Sequence, residues 1–338
     1  MALAERPLNI NKLPSPTWRW LKMNGCSVPL GELVPFDVQN GSPCKAGDKW
    51  NFDTGSGKEV DKLLDDIGVK PQRFNAGAND KLRFAFDLEK KPAAYFEFEV
   101  PKGSSSSVVM DFHGRGCGVV QSRFKIADDA DFTLIQIHKL DKGSKFINDV
   151  GAFLSSNSHF RVVQLVVSAG ELYLGNCSSL KGEGSSLESG LGYLCSEGEK
   201  LDVNYVALHE GEHTLSDIRA YGSLRENGEK LFRGTIDFRH GAIGAKGAET
   251  EDALLIDDNC VNRTVPLILC EEEDVEGTHG ATIGRLDDGL MFYLNSRGLD
   301  KDEVYRIMSN SRLIAACRFL SDESLRQEVL SEIGGKEE

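Results

Sequence analysis

From Leu82 to about residue 284 the chain alternates apolar and polar positions with a period of two. Phe84, Phe86 and Leu88 alternate with polar residues, as do Tyr95–Val100 and Phe132–Ile137. Further runs of the same kind follow at 162–167, 171–174, 201–208, 216–224, 232–238, 252–256 and 265–269. Period two is the signature of a strand with one face buried. Gly, Ser, Asn and Asp clusters separate the runs and leave almost no room for helices between them. Two architectures accommodate so many consecutive short strands, a sandwich or a coil of stacked strands. Gly-rich corners such as Gly241–Ala248 favour the coil, whose inward corners need small residues.

The two ends read differently. Residues 1–80 look irregular and partly helical. Leu13-Pro14-Ser15-Pro16 stiffens the entry, and Trp18, Trp20 and Leu21 read as a large apolar anchor. Lys58–Gly68 reads as a short helix, with Val60, Leu63, Leu64 and Ile67 on one face and Gly68 as its stop. After residue 286 the period becomes helical. Asp287-Asp288-Gly289-Leu290 starts one helix and Gly298 ends it. Asp300 with Glu303 forms a capping box for a second helix, along which Val304, Ile307, Met308, Ile314 and Cys317 recur. Asp322–Ile333 makes a last helix with Gly334 as its stop. The expected regions are an irregular and helical 1–80, a stacked-strand core over 81–286 and a helical tail over 287–338. Such a tail packs on the chain's own body or docks a partner.

Charge and cysteine content narrow the function classes. A net charge of −14 over 338 residues argues against tracking a phosphate backbone, so no nucleic-acid partner is expected. No apolar run approaches the ~18 residues needed to span a bilayer, and the first residues have no apolar signal core, so a cytoplasmic protein without a membrane role is expected. Eight cysteines are scattered with no C-x-x-C pair, which disfavours zinc ribbons and dithiol redox sites. Most should be free thiols that behave as small hydrophobes.

Several motifs fail as catalytic signatures. Gly55-Ser56-Gly57-Lys58 looks like the end of a phosphate loop, but Glu59 replaces the hydroxyl residue that holds magnesium and Phe52 replaces the first Gly. No nucleotide is therefore expected on this chain. His113–Gly118 resembles an oxyanion loop without a nucleophile elbow to serve. His209 and His213 flank a Gly that favours strand or turn over the helix a zinc hydrolase needs. What remains is Cys260 and His279, a thiol and an imidazole on neighbouring turns of the strand-and-Gly repeat. These side-chain types hold soft and borderline metals. Adjacent stacked strands lie ~4.8 Å apart, so the two residues can share a metal or cluster if both fall on one face. The alternative is a hydrogen-bonded turn histidine and a packed cysteine.

Gly241–Asp258, Val265-Pro266, His279–Asp287 and Leu290–Leu299, in that order and spacing, resemble the core domain of the SUF-system iron–sulfur cluster assembly scaffolds, the SufB/SufD family. The resemblance runs over about residues 200–333, extends to the earlier strands, and leans towards SufD. It implies a mainly β fold, a right-handed parallel β-helix with a helical N-terminal segment and an α-helical tail. It also implies no catalytic residue, a transient iron–sulfur cluster, and His279 and Cys260 at the ligand positions. The implied partners are a SufB-type scaffold through the core, a SufC-type ATPase through the C-terminal helices, and sulfur-donor proteins indirectly. Two features depart from the family. Gly277 stands where many SufD chains carry a Cys, and the presence of both Cys260 and His279 blurs the SufB/SufD assignment. Cys177 and Cys195 are the candidates for a persulfide acceptor. Glu271, Glu272, Glu273, Asp274 and Glu276 read as iron-recruiting oxygens or as a solvated acidic face.

Three functions compete. They are a cluster-assembly scaffold, a structural partner subunit that binds no cluster, and a β-helix carbohydrate-active enzyme. The last needs paired carboxylates on one face, whereas the adjacent Asp257 and Asp258 point to opposite sides.

Overall fold

The structure, a computed structural model, describes residues 7–15, 20–38, 41–43 and 49–333. Their period-two alternation builds a parallel β-solenoid of about eight turns. Each turn contributes one strand to each of two facing sheets. The eight-stranded sheet stacks Lys81–Asp87, Ser105–Gly114, Asp131–Leu140, His159–Ser168, Ser186–Cys195, Leu215–Leu224, Ala245–Leu255 and Val275–Gly284. The facing sheet runs from Gln72–Asn75 through Pro92–Val100, Cys117–Ile126, Lys145–Leu154, Glu171–Leu180, Lys200–His209 and Glu229–Phe238 to Val261–Cys270. From Lys145, paired with Glu171, to Glu229, paired with Val261, register partners lie 26 to 32 residues apart. That is the true length of a turn, and it decides which side chains stack.

The inward residues fill the space between the sheets. In the first turns they are mostly aromatic. The Phe98 and Phe124 rings stack at 5.0 Å, Phe86 and Phe112 at 5.0 Å, and Phe74 lies against Phe84 and Phe98. Midway the filling turns polar. Gln164 donates to Gln136, Gln136 and Asn148 exchange hydrogen bonds, and Asn148 meets His138 at 2.9 Å. Every member of this buried network finds a partner inside it, which makes polar filling tolerable. Burial lowers His138 to about 3, so it stays neutral.

Both outer faces are covered, and glycines mark the closest approaches. Residues 7–15, 20–30 and 49–69 lie over the sheet that ends at Val261–Cys270. A Cβ on Gly175 would meet the Ser56 amide at 2.4 Å, and one on Gly151 would meet the Asp53 carbonyl at 2.7 Å. Buried ion pairs fix this segment. Arg123 binds Asp61 at 2.9 Å, and Arg233 binds both Asp202 and the Met23 carbonyl. The segment contains an antiparallel pair, Leu8–Ile10 with Cys26–Val28, and helix α1, Lys58–Asp66, which buries Val60 and Leu64. The expected tryptophan anchor does not hold. Trp20 is 97% exposed and Leu21 56% exposed, because the chain turns there and projects both outward. Ile10, Leu13, Met23, Val28 and Leu30 do the anchoring instead, and Trp18 lies outside the described residues.

At the other end come α2 (Asp288–Ser296), α3 (Lys301–Ala316) and α4 (Glu323–Glu332). The Asp300/Glu303 capping box opens α3 as expected. Leu313, Ala316, Cys317, Leu325, Val329 and Leu330 pack on Ile135, Ile137, Val163 and Leu165 of the eight-stranded sheet. Gly190 admits the Phe319 ring, and Gly192 admits Ala316 and Leu313. The expected apolar stripe is thus only half right, since Ile307 is exposed while Leu313 and Ala316 carry the contact. Gly334 lies outside the described residues. Among the described residues no helix is long and apolar enough to cross a membrane.

Candidate functional site

The solenoid ends without a lid. Val275–Gly284 is the last strand of its sheet, and all but its first residue are exposed. Val261–Cys270 is the last strand of the other sheet and is mostly half-buried. Two neighbouring edges therefore present unpaired backbone groups, a feature that natural proteins cover or use.

Just inside this open end the filling is charged. Glu249 and Glu251 point inward from Ala245–Leu255 and are 2% and 3% exposed. Lys230, from the facing sheet, pairs with Glu251 Oε1 and lies 3.1 Å from Thr264 Oγ1. Thr264 donates to Glu251 Oε2 at 2.6 Å, and Tyr193 donates to Oε1 at 3.1 Å. Glu251 is thereby fully engaged. Glu249 is not, because its Oε2 is buried and has no partner. The carboxyl rests in a notch left by Gly234, where a Cβ would lie 2.3 Å from Glu249 Cδ. Burial, reinforced by the neighbouring Glu251 and opposed by Lys230, pushes Glu249 up to about 8. Burial also pulls Lys230 down, against the attraction of Glu251.

His279 pairs in register with Glu249 on the adjacent parallel strand. In-register parallel neighbours present side chains on the same face with strands ~4.8 Å apart, so His279 lies one strand outside Glu249 on the same face, at the mouth of the solenoid. Across the mouth, a Cβ on Gly277 would meet Ile268 at 3.2 Å, while the level of Ala281 faces Thr264 through Glu251. His279 therefore faces the level of Pro266. Cys260 precedes Val261–Cys270, half-buried against the interior cluster. It lies six residues from Pro266, an offset of about 20 Å along an extended strand. The structure puts both candidates at the last turn but does not bring them together. Their separation of 19 positions falls short of a turn of about 30, which sends them to opposite sheets.

The other candidates resolve into structural roles. His209 ends a strand between Thr214 Oγ1 and Ser216 Oγ at 2.7 and 2.8 Å, and His213 occupies a left-handed turn position with φ 55°. The Ser56 amide donates to Asp149 rather than to a phosphate. Cys177 and Cys195 are buried, and burial pushes each thiol up to about 12, away from the thiolate. In the acidic run, Glu271 pairs with Arg239 and Glu276 with Lys246, while Glu272 accepts from the Gly241 amide. Asp257 accepts from the Glu226 amide and Asp258 pairs with Arg285. Glu249 and Glu251, two residues apart, do share a strand face, and both are buried. Their signal in the sequence was two acids at inward positions of the alternation Gly247-Ala248-Glu249-Thr250-Glu251. Beside the open end, α2 buries none of its residues and exposes Leu290, Phe292 and Tyr293.

At the mouth one exposed imidazole and one buried acid with an unpartnered oxygen lie on neighbouring strands, and no three His, Cys, Asp or Glu among the described residues gather into a metal-ion site. Comparison with known proteins gives the family. The family model described as the SUF system FeS cluster assembly SufBD core domain matches residues 94–311. The chain is 24% identical over 212 residues to the iron–sulfur cluster assembly protein SufD of Bacillus subtilis, covering 62% of this chain and 48% of that one. It is 34% identical over 111 residues to SufD of Escherichia coli, covering 33% and 26%. A SufBD family protein of Mycobacterium leprae is 35% identical over 108 residues, covering 32% and 12%. The chain thus spans about half, or less, of the length of these relatives.

Proposed function

This chain belongs to the SufBD family of the SUF iron–sulfur cluster assembly system, closer to SufD, and from that premise we propose that it is a non-catalytic scaffold subunit on which a cluster is built. The observation that carries the reading is the placement of His279 on an exposed terminal strand, at the open mouth of the solenoid. A SufB-type partner pairs with the uncovered strand edges and brings the remaining ligands to the cluster. One imidazole from this chain leaves most of the coordination to the partner and to sulfide, so the cluster is released more easily than from a four-thiolate site. A SufC-type ATPase docks on the exposed apolar side of the tail, Leu290, Phe292 and Tyr293 with Ile307, since the rest of the tail is occupied by the chain's own sheet. Cys260 stands as a separate thiol at the same end rather than a second ligand to the iron of His279.

The test is anaerobic reconstitution of the complex of this chain, a SufB-type partner and a SufC-type ATPase with ferrous iron and sulfide. His279→Ala should lower bound iron and visible cluster absorbance at least fivefold while the complex still assembles. Cys260→Ser should leave loading within twofold. Normal loading in the His279 variant would make this chain a purely structural partner.

A further inference from the structure

Buried acids outnumber buried bases at the open end. Two buried carboxylates, Glu249 and Glu251, share one buried cation, Lys230. Lys230, Thr264 and Tyr193 all serve Glu251. Glu249 Oε2 is left buried without a partner, and a buried polar oxygen that makes no hydrogen bond is costly to keep. A structural acid is normally hydrogen-bonded or replaced. This one is instead given room. Gly234 in the facing sheet is cut back to backbone where any side chain would strike the carboxyl. Next to it on the same face, one strand further out and open to solvent, is His279.

We propose that Glu249 and His279 form a two-donor seat for a single divalent cation in this chain alone, before any partner is bound. A carboxylate oxygen and an imidazole nitrogen on adjacent strands are matched to ferrous iron and to cations of similar size and softness. The buried donor supplies the missing counter-charge relation, and the exposed donor is the point of entry. Glu251 is excluded as a ligand because its oxygens are taken, and Cys260 because it lies about 20 Å along the strand direction from the level of His279. Two protein donors leave the rest of the coordination sphere to water and then to the partner. The identification of the cargo as ferrous iron rests on the proposed function, but the seat does not. The scaffold then receives iron first and sulfur afterwards, with His279 passing from the mononuclear ion to the cluster.

The experiment uses the isolated full chain, anaerobic, titrated with ferrous iron and with cobalt(II) as a spectroscopic probe. Wild type should bind one equivalent, with a cobalt(II) visible band that reports a nitrogen ligand. Glu249→Gln, which keeps shape and loses charge, should weaken binding at least tenfold, and His279→Ala should do the same and abolish the nitrogen signature. Gly234→Ala keeps both donors but displaces the carboxyl, so it should also weaken binding, and it serves if Glu249→Gln fails to fold. Glu249→Asp should recover part of the affinity. Binding that is unchanged in Glu249→Gln and Gly234→Ala would overturn the proposal, as would binding lost only in His279→Ala, or no saturable binding in wild type. Cluster loading in the complex separates the two readings. If Glu249→Gln loads clusters normally and the isolated chain binds no cation, the seat fails and the scaffold stands. If the wild-type complex never loads a cluster, the scaffold fails whatever the isolated chain binds.

Discussion

The two ends of the solenoid are built from the same kind of parallel strand and filled in opposite ways. At the first end Phe74, Phe84, Phe86, Phe96, Phe98 and Phe124 pack ring on ring. At the last end Glu249, Glu251, Lys230 and Tyr193 fill the interior, beneath an exposed terminal strand. A stack of this kind draws its stability from neighbouring turns only. Packing energy can therefore be concentrated at one end while the other carries a buried acid with an unpartnered oxygen without unfolding the whole. The difference separates the end that carries the aromatic packing from the end that carries the proposed site.

The largest effect should come from the aromatic end. Phe98 is fully buried between Phe74, Phe96 and Phe124, so Phe98→Ala removes a ring and leaves a cavity. A loss of about 3–5 kcal/mol is expected. Ile268, half-buried at the open end, should lose under about 2 kcal/mol on the same truncation, because less of its surface leaves water. Urea unfolding of the two variants measures both. Equal losses would show that stability is spread evenly along the stack.

Sequence reading reached the first end more easily than the last. Phe84, Phe86, Tyr95, Phe96 and Phe98 alternate so regularly that strands follow from period two alone. The helix starts at Asp287, Asp300 and Asp322 were equally legible, since each side chain caps its helix as an N-cap should. The length of a turn was not legible, because only the paired register gives it, and without it Cys260 and His279 looked like neighbours. Trp20 misled because hydrophobicity predicts burial only where the backbone turns inward. Glu249 was overlooked for the reverse reason. An acid inside a Gly-rich acidic stretch reads as surface until its strand phase is known.

The second expected effect contrasts the ends by pH. Glu249 is raised to about 8 from its ordinary 4.5, so the folded state holds the proton more tightly than the unfolded chain. Its contribution is intact below the ordinary carboxyl range and is lost as pH rises from about 4.5 through 8. His138, lowered from 6.5 to about 3, behaves oppositely, and its contribution is lost as pH falls through that interval. In metal-free buffer, wild type should lose about 2–4 kcal/mol relative to Glu249→Gln between pH 5 and pH 8. Comparing the two proteins cancels every other titrating group. Parallel pH profiles would show that the Glu249 carboxyl is hydrated in solution.

The smallest effect tests what holds the tail across the stack. Arg83, on a strand of the first end, reaches Asp111 at 2.8 Å and also pairs with Glu328 and Glu332 of α4. The cluster looks like a clamp, yet Arg83 is 41% exposed and the Glu328 side chain 52% exposed, so water and salt screen it. Beneath it Leu325, Val329 and Leu330 bury against Ile135 and Leu165 in a surface that needs no charge. Arg83→Ala should therefore cost under about 1 kcal/mol and become neutral in high salt. Leu330→Ala, fully buried in the same helix, should cost about 2–5 kcal/mol at any ionic strength. Denaturant melts in low and high salt distinguish the two. A loss at Arg83 that matched Leu330 would make the tail an electrostatic latch across the early turns, releasable by charge alone.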